Sequence, residues 1–188
     1  MPTDVELMLH IQQGDRSAFG ELVERYRSAL TRVARSKISD ADAADDIVQE
    51  TFLAVYAARH TYNPKFAVRT WLWTILLNLC RKHLARQQKH ATRMSKLGGL
   101  SSHISQESGL TALLVSERRD EISALLDELP EVQADALRLR FFGELKFTEI
   151  AEAMGSSVSG AKVRVRKGLM ACAELIQDRS LLDGGTKS

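Results

Sequence analysis

Apolar residues recur at three- and four-residue intervals through most of this chain, the spacing of one helix face. Val5, Met8 and Leu9, with Gln12, predict an amphipathic helix that stops at Gly14; Ala18, Leu22, Val23 and Tyr26 carry a second to about Lys37. Ser39 or Asp40 is placed to cap a third helix, whose first turns hold Asp42, Asp45 and Asp46, where the helix dipole favours negative charge. It continues through Ile47, Val48, Phe52, Val55 and Tyr56 to a break at Asn63-Pro64, because proline disfavours helical backbone in the residue before it. A fourth helix, about 68–88, directs Trp71, Leu72, Ile75, Leu76 and Leu79 toward a core.

The period dissolves between about Thr92 and Leu114, where Gly98-Gly99 and several serines predict a linker. A coil of that length spans roughly 25 Å root-mean-square. Beyond it, Ile122, Leu125, Leu126 and Leu129 form one apolar stripe. Pro130 suits the first turn of a further helix, which Val132, Ala136, Leu137 and Phe141 carry to Gly143. Two shorter helices follow, and Gly184-Gly185 opens a frayed tail. The expected architecture is all-α: two small helical domains, 1–92 and 116–178, joined by a flexible linker, 93–115, with a tail at 179–188.

Composition narrows the function classes. The 188 residues are 44% hydrophobic and 27% charged with three prolines, as a soluble helical protein with a core requires. No basic start leads into an apolar stretch, and the longest apolar run, Trp71–Leu79, holds Thr74 and Asn78 and is too short to span a bilayer. A cytoplasmic protein without membrane insertion is expected. Cys80 and Cys172 make no disulfide framework, and Cys80 with His83 is only half a zinc site. His10, His60, His83, His90 and His103 form no metal or acid–base motif, so no catalytic residue, metal or cofactor is expected.

The net charge of +2 conceals an asymmetry. Lys65, Arg69, Arg81, Lys82, Arg86, Lys89, Arg93 and Lys96 have no acidic neighbour from 65 to 106. Acids dominate from Glu117 to Glu152, and Lys162, Arg164, Arg166 and Lys167 then restore a basic block. Two basic regions fit two contacts with a polyanion such as nucleic acid, or simply solvated helix faces.

The second basic block lies in a helix-turn-helix pattern. In Phe147-Thr-Glu-Ile-Ala-Glu-Ala-Met-Gly155, Ala151 stands where crossing helices approach closely, and Gly155 where the turn calls for positive φ. Ser157 or Ser159 can cap the next helix, with Val158, Ala161, Val165 and Cys172 inward and Ser159, Lys162, Arg166 and Lys167 outward. A recognition helix needs this division, since one side locks it in place while the other enters the major groove. A helical hairpin with a basic face shares the pattern.

Upstream, aromatic and basic residues interleave: Tyr62, Lys65, Phe66, Arg69, Trp71, Trp73, Arg81 and Lys82. Aromatic rings stack on unpaired bases and cations follow the backbone, so this composition suits single-stranded nucleic acid. Trp71 is expected in the core, whereas Tyr62 and Phe66 flank Pro64 in a loop and are the better stacking candidates. Asn78 offers donors and acceptors for a base edge, or caps a neighbouring helix.

Asp45-Asp-Ile-Val-Gln-Glu-Thr-Phe52, followed by Arg69-Thr-Trp-Leu-Trp-Thr-Ile-Leu-Leu-Asn78, resembles the second conserved region of sigma-70 family factors. Glu128-Leu-Pro130, Leu139-Arg-Phe-Phe-Gly143 and Glu149-Ile-Ala-Glu152 resemble the fourth region, and the short linker between them resembles the extracytoplasmic-function (ECF) group. The resemblance covers about residues 4–90 and 117–175, in the family's order. It implies a promoter-specificity subunit of RNA polymerase.

By the same resemblance, Asp45, Asp46, Ile47, Gln49, Glu50 and Leu53 would dock on the clamp helices of the polymerase's largest subunit, with a second contact on its flap. Tyr62, Asn63, Lys65, Phe66, Arg69, Asn78, Arg81 and Lys82 would capture and melt the −10 element, with Tyr62 and Asn78 at the pocket for a flipped base. Ser159, Lys162, Val163, Arg164, Arg166 and Lys167 would read the −35 element. Factors of this group are commonly held by an anti-sigma partner between the two domains. The chain departs from the family at Ser159-Gly-Ala-Lys-Val-Arg164, where Gly160 weakens the helix by up to ~1 kcal/mol relative to alanine. A stand-alone helix-turn-helix regulator is the alternative, and it leaves the Asp45–Phe52 helix and the aromatic loop without a role. A response regulator would need an alternating strand-helix receiver domain, which the first half lacks.

Overall fold

The computed structural model describes residues 1–95 and 120–184. Among them, helices and short turns account for all regular structure. Helix α1, Asp4–Gln12, starts at a capping box in which Thr3 and Glu6 satisfy each other's backbone N–H groups. Helices α2, Arg16–Lys37, and α3, Ala41–Ala57, are each capped by an aspartate, Asp15 and Asp40, whose carboxylate accepts from two backbone amides. Gly14 at φ +93 turns the chain between α1 and α2. A 3₁₀ turn, Arg59–Thr61, leads through the Pro64 loop into the long α4, Val68–Ser95.

In the second half, α5 (described at 120–127) leads to α6, Glu131–Leu137, which continues as a π-helical turn, Arg138–Phe142. Helices α7, Phe147–Ala153, and α8, Val158–Gly184, complete it. Leu22, Leu30, Val33, Val55, Leu72 and Leu76 fill the first bundle; Leu139, Leu145, Ile150, Ala161 and Val165 fill the second. The all-α architecture of two helical units is as expected. The predicted linker falls mostly outside the described residues, although α4 runs past its expected end at 88 and through 95.

The register differs from expectation at particular points. Helix α3 ends at Ala57 rather than at Asn63-Pro64, because the chain must turn before Pro64 to bring Tyr62 back onto the bundle. Trp71 is only partly buried, whereas Trp73 is wholly enclosed. The extra residue of the π turn rotates the face of the helix before Gly143, so Val132 (48% exposed) and Phe141 (58%) lie outside while Asp135, Arg138 and Leu139 lie inside. Ile122 is exposed, and Leu126 and Leu129 carry the stripe. Val158 is likewise exposed, leaving Ala161 and Val165 as the inward positions of α8.

The halves are packed together. Trp73 of α4 meets the turn after the π segment, where a Cβ on Gly143 would stand 3.2 Å from the Trp73 ring and 2.9 Å from the Leu139 carbonyl oxygen. Only glycine fits there. Arg32 Nε donates to the Phe142 carbonyl at 3.1 Å, and Arg69 Nη2 to that of Gly143 at 3.0 Å.

Candidate nucleic-acid interface

Three surfaces bear the predicted residues. On α3, Asp45, Asp46, Gln49, Glu50 and Leu53 are exposed on one face, with Leu53 59% accessible. Asp45 accepts from Arg35 Nη2 at 2.6 Å, and that bond raises the Arg35 pKa. Ile47 is a correction to the predicted surface. It is 3% exposed, because the inward stripe of α3 is Ala44, Ile47, Val48, Thr51, Phe52 and Val55. The acidic face borders a shallow cleft of about 430 Å³ floored by Phe19, Val23 and Phe52, so charge and apolar area adjoin.

The second surface is the loop between α3 and α4. Gln12 Nε2 anchors its entry by donating to the carbonyls of Arg59 (2.9 Å) and Tyr62 (3.1 Å). The Asn63 side chain accepts from Lys65 N at 3.0 Å, closing a tight turn around Pro64. Tyr62 is buried, donates its hydroxyl to the Phe66 carbonyl at 2.7 Å and stacks on Trp71 with ring centroids 5.6 Å apart. Burial raises its pKa, so the phenol keeps its proton at neutral pH. Tyr62 therefore holds the loop's shape, while Phe66, 66% exposed, presents an open ring face to solvent.

Beside that ring lies a cleft of about 450 Å³ whose walls include Tyr62, Asn63, Phe66, Thr70, Trp71 and Thr74. Asn78 is exposed on α4, two turns beyond Thr70, and lies outside the cleft lining; its Oδ1 is 3.5 Å from Arg81 Nη1. Lys65 and Lys82 are exposed. Arg69 and Arg81 are already engaged: Arg69 Nε lies 3.6 Å from Glu149 and Arg81 Nη2 2.9 Å from Asp135. Sequence reasoning missed Thr70, Thr74 and Trp71 as cleft walls. Two threonines at i, i+4 within an apolar helix were the available signal, since such a pair marks a face that is not core.

The third surface is the helix-turn-helix. Gly155 adopts φ +57, the conformation its position calls for, and Ala151 is buried at the crossing. Ser157, not Ser159, caps α8, its Oγ accepting from Gly160 N at 3.0 Å. Ser159, Lys162, Val163, Arg166 and Lys167 project outward, and Arg164 is half-buried. The Lys162 ammonium lies 5.9 Å from the Phe147 ring centre. A Cβ on Gly168 would come within 2.8 Å of Leu137 Cδ1, so this glycine lets α6 and α8 close against each other. That close approach was invisible in the pattern of apolar residues.

Comparison with known proteins places both halves. Residues 22–90 match the family model for Sigma-70 region 2, and residues 119–172 that for Sigma-70, region 4. The chain is 28% identical over 181 residues to the RNA polymerase sigma-H factor of Pseudomonas aeruginosa, covering 93% of this chain and 94% of that one. It is also 28% identical over 184 residues to the ECF RNA polymerase sigma-E factor of Escherichia coli K12, covering 93% and 95%. Among solved structures, CnrH in complex with the cytosolic domain of CnrY is similar at a TM-score of 0.72 and 23% identity, covering 93% of this chain and 97% of that one. The sigma factor RpoE in complex with the anti-sigma factor NepR from Bartonella quintana is similar at 0.63 and 22%, covering 85% and 96%. At these identities the two structures establish the shared fold.

Proposed function

The chain belongs to the sigma-70 family of RNA polymerase sigma factors, in its ECF group, and from that premise we propose how its parts divide the work. It binds core RNA polymerase and directs promoter-specific initiation, working in the cytoplasm by binding alone, with polymerase supplying the chemistry. Residues 1–92 act as the polymerase- and −10-binding domain, 93–115 as a linker and 116–178 as the −35-binding domain. The observation that carries this division is the exposed face of Asp45, Asp46, Gln49, Glu50 and Leu53 next to the aromatic loop. The acids meet basic residues of the polymerase clamp helices, and Leu53 supplies apolar contact.

Phe66 stacks on an unpaired −10 base, with Asn63 and Lys65 beside it and Arg69, Asn78, Arg81 and Lys82 following the strand. Flipping that base costs a few kcal/mol, which stacking and edge hydrogen bonds offset. Ser159, Lys162, Val163, Arg164, Arg166 and Lys167 read the −35 duplex, the cations contacting phosphates or guanine edges. An anti-sigma protein is a further partner, as NepR is for the Bartonella factor.

Purified chain added to core polymerase is expected to start transcripts from promoters that core alone ignores, and failure on every promoter of its own genome refutes the reading. Asp46→Lys with Glu50→Lys is expected to weaken core binding about tenfold at low salt, in proportion to two lost attractions of roughly 0.5–1 kcal/mol each. Unchanged affinity removes the role given to α3.

A further inference from the structure

The two halves meet through a buried charge cluster that the promoter-binding function does not call for. Asp135 of α6 is 0% exposed. Its carboxylate accepts from Lys37 Nζ of α2 at 2.6 Å and from Arg81 Nη2 of α4 at 2.9 Å. Arg138 Nε, also buried, donates across the same junction to the Ser36 carbonyl at 2.9 Å. A charge is enclosed this way only when its partners come with it, so each half supplies what the other needs.

A second contact lies at the aromatic cleft. Glu152 of α7 reaches into its wall and accepts a hydrogen bond from Thr70 Oγ1 at 2.8 Å, while Glu149 sits 3.6 Å from Arg69. Carboxylates thus stand against the cations and polar groups that face the cleft. An incoming single strand would bring its own negative charges to this place. The helix-turn-helix half and the strand cannot occupy it together.

We propose that the free chain rests in a self-closed state, latched by Lys37 and Arg81 on Asp135, in which Glu149 and Glu152 cover the −10 site as internal anionic decoys. This rests on the −10 assignment made above. Opening exchanges the acids of the second half for the phosphates of the promoter, and core polymerase, by holding the halves apart, stabilises the open form.

In the open form Lys37, Arg81 and Asp135 all meet water, so Asp135→Ala disfavours only the closed one, where it strips the main partner from Lys37. The closed-to-open ratio is expected to fall about a hundredfold. Glu152→Ala, on the outer face of α7 and remote from the second core, is expected to lower it about fivefold.

The test uses the full chain with Trp71→Phe, leaving Trp73, at the junction of the halves, as sole fluorophore. Closure predicts blue-shifted Trp73 emission and a compact radius by small-angle scattering in the parent. Both variants should shift emission to the red and enlarge the radius, with helical circular dichroism unchanged. At limiting factor, Asp135→Ala and Glu152→Ala in the unaltered background should raise transcription from a responsive promoter, which damage to the fold would lower. An extended parent, or variants as compact and blue as the parent, overturns the proposal. If Asp135→Ala loses helicity, Glu152→Ala decides. The compaction measurements need no polymerase: an open chain that still transcribes refutes the latch alone, and a closed chain inactive on all promoters refutes the functional reading.

Discussion

Replacing Phe66 with alanine separates a base-stacking role from a structural one, because the two predict different magnitudes in different assays. The ring is 66% exposed, so about a third of its surface is removed from water on folding. Full burial of a phenylalanine side chain is worth about 1.5–3 kcal/mol, so the fold stands to lose less than about 1 kcal/mol. Loss of stacking on an unpaired base costs roughly 1–3 kcal/mol, equivalent to about 5- to 150-fold in the equilibrium for promoter opening. Saturating core polymerase with wild-type or Phe66→Ala chain, and following 2-aminopurine fluorescence across the −10 element, reads that equilibrium directly. Core affinity, measured in parallel by competition, should be unchanged, since Phe66 lies off the α3 face. Equal opening by the two proteins refutes the stacking role. A fall in thermal stability well beyond 1 kcal/mol would instead mean that Phe66 is packed in solution.

Three further outcomes test the structure. Gly168→Leu should destabilise the second half by about 1–3 kcal/mol through overpacking against Leu137, read as a lowered urea midpoint; Gly168→Ala should cost less. Burial pushes the Cys80 thiol up to about 12 and also raises that of the half-buried Cys172, so both are protonated at pH 8. Iodoacetamide should therefore modify Cys172 slowly and Cys80 only after denaturation, as mass spectrometry of the native and unfolded chain would show; rapid native labelling of Cys80 contradicts its enclosure. The hydrogen bond from Lys37 lowers the Glu131 pKa below 4.5, so its stabilising contribution is fully present above that value and is lost as pH falls through the lowered one. The midpoint difference between wild type and Glu131→Gln should then shrink on acidification from pH 7, and a constant difference removes the linkage.

Helix periodicity carried the fold because most of its information is local. Caps such as Asp40, the positive φ of Gly155 and the buried Ala151 each follow from short-range rules, and each appears in the structure. What was not legible depends on contacts between elements distant in sequence. Nothing near Trp71 and Trp73 distinguishes them locally. Trp73 is enclosed because the turn at Gly143, seventy residues later, comes down on it, and Trp71 is left to stack on Tyr62. The π turn is similar: its extra residue moves Val132 and Phe141 off the face that a regular helix would give them. On the candidate interface, residue type identified the aromatic loop, but only geometry separated the exposed Phe66 from the loop-holding Tyr62.

The acidic stretch from Glu117 to Glu152 now has a physical meaning that composition alone left open. Glu131, Asp135, Glu149 and Glu152 lie against Lys37, Arg69, Thr70 and Arg81, so the chain carries a partial substitute for the polyanion it binds. The two competitors differ in solvent exposure. Asp135 is wholly buried and its pairs are poorly screened, whereas contacts to promoter phosphates lie at the surface and weaken steeply with salt. Added salt therefore acts unequally on the exchange, disfavouring the DNA-bound form more than the closed one. The internal contact also acts at the high effective concentration of a tethered partner, while DNA must be supplied from outside. A chain built this way gains access to its −10 surface when polymerase binding offsets the latch, which links promoter reading to assembly with the enzyme that needs it.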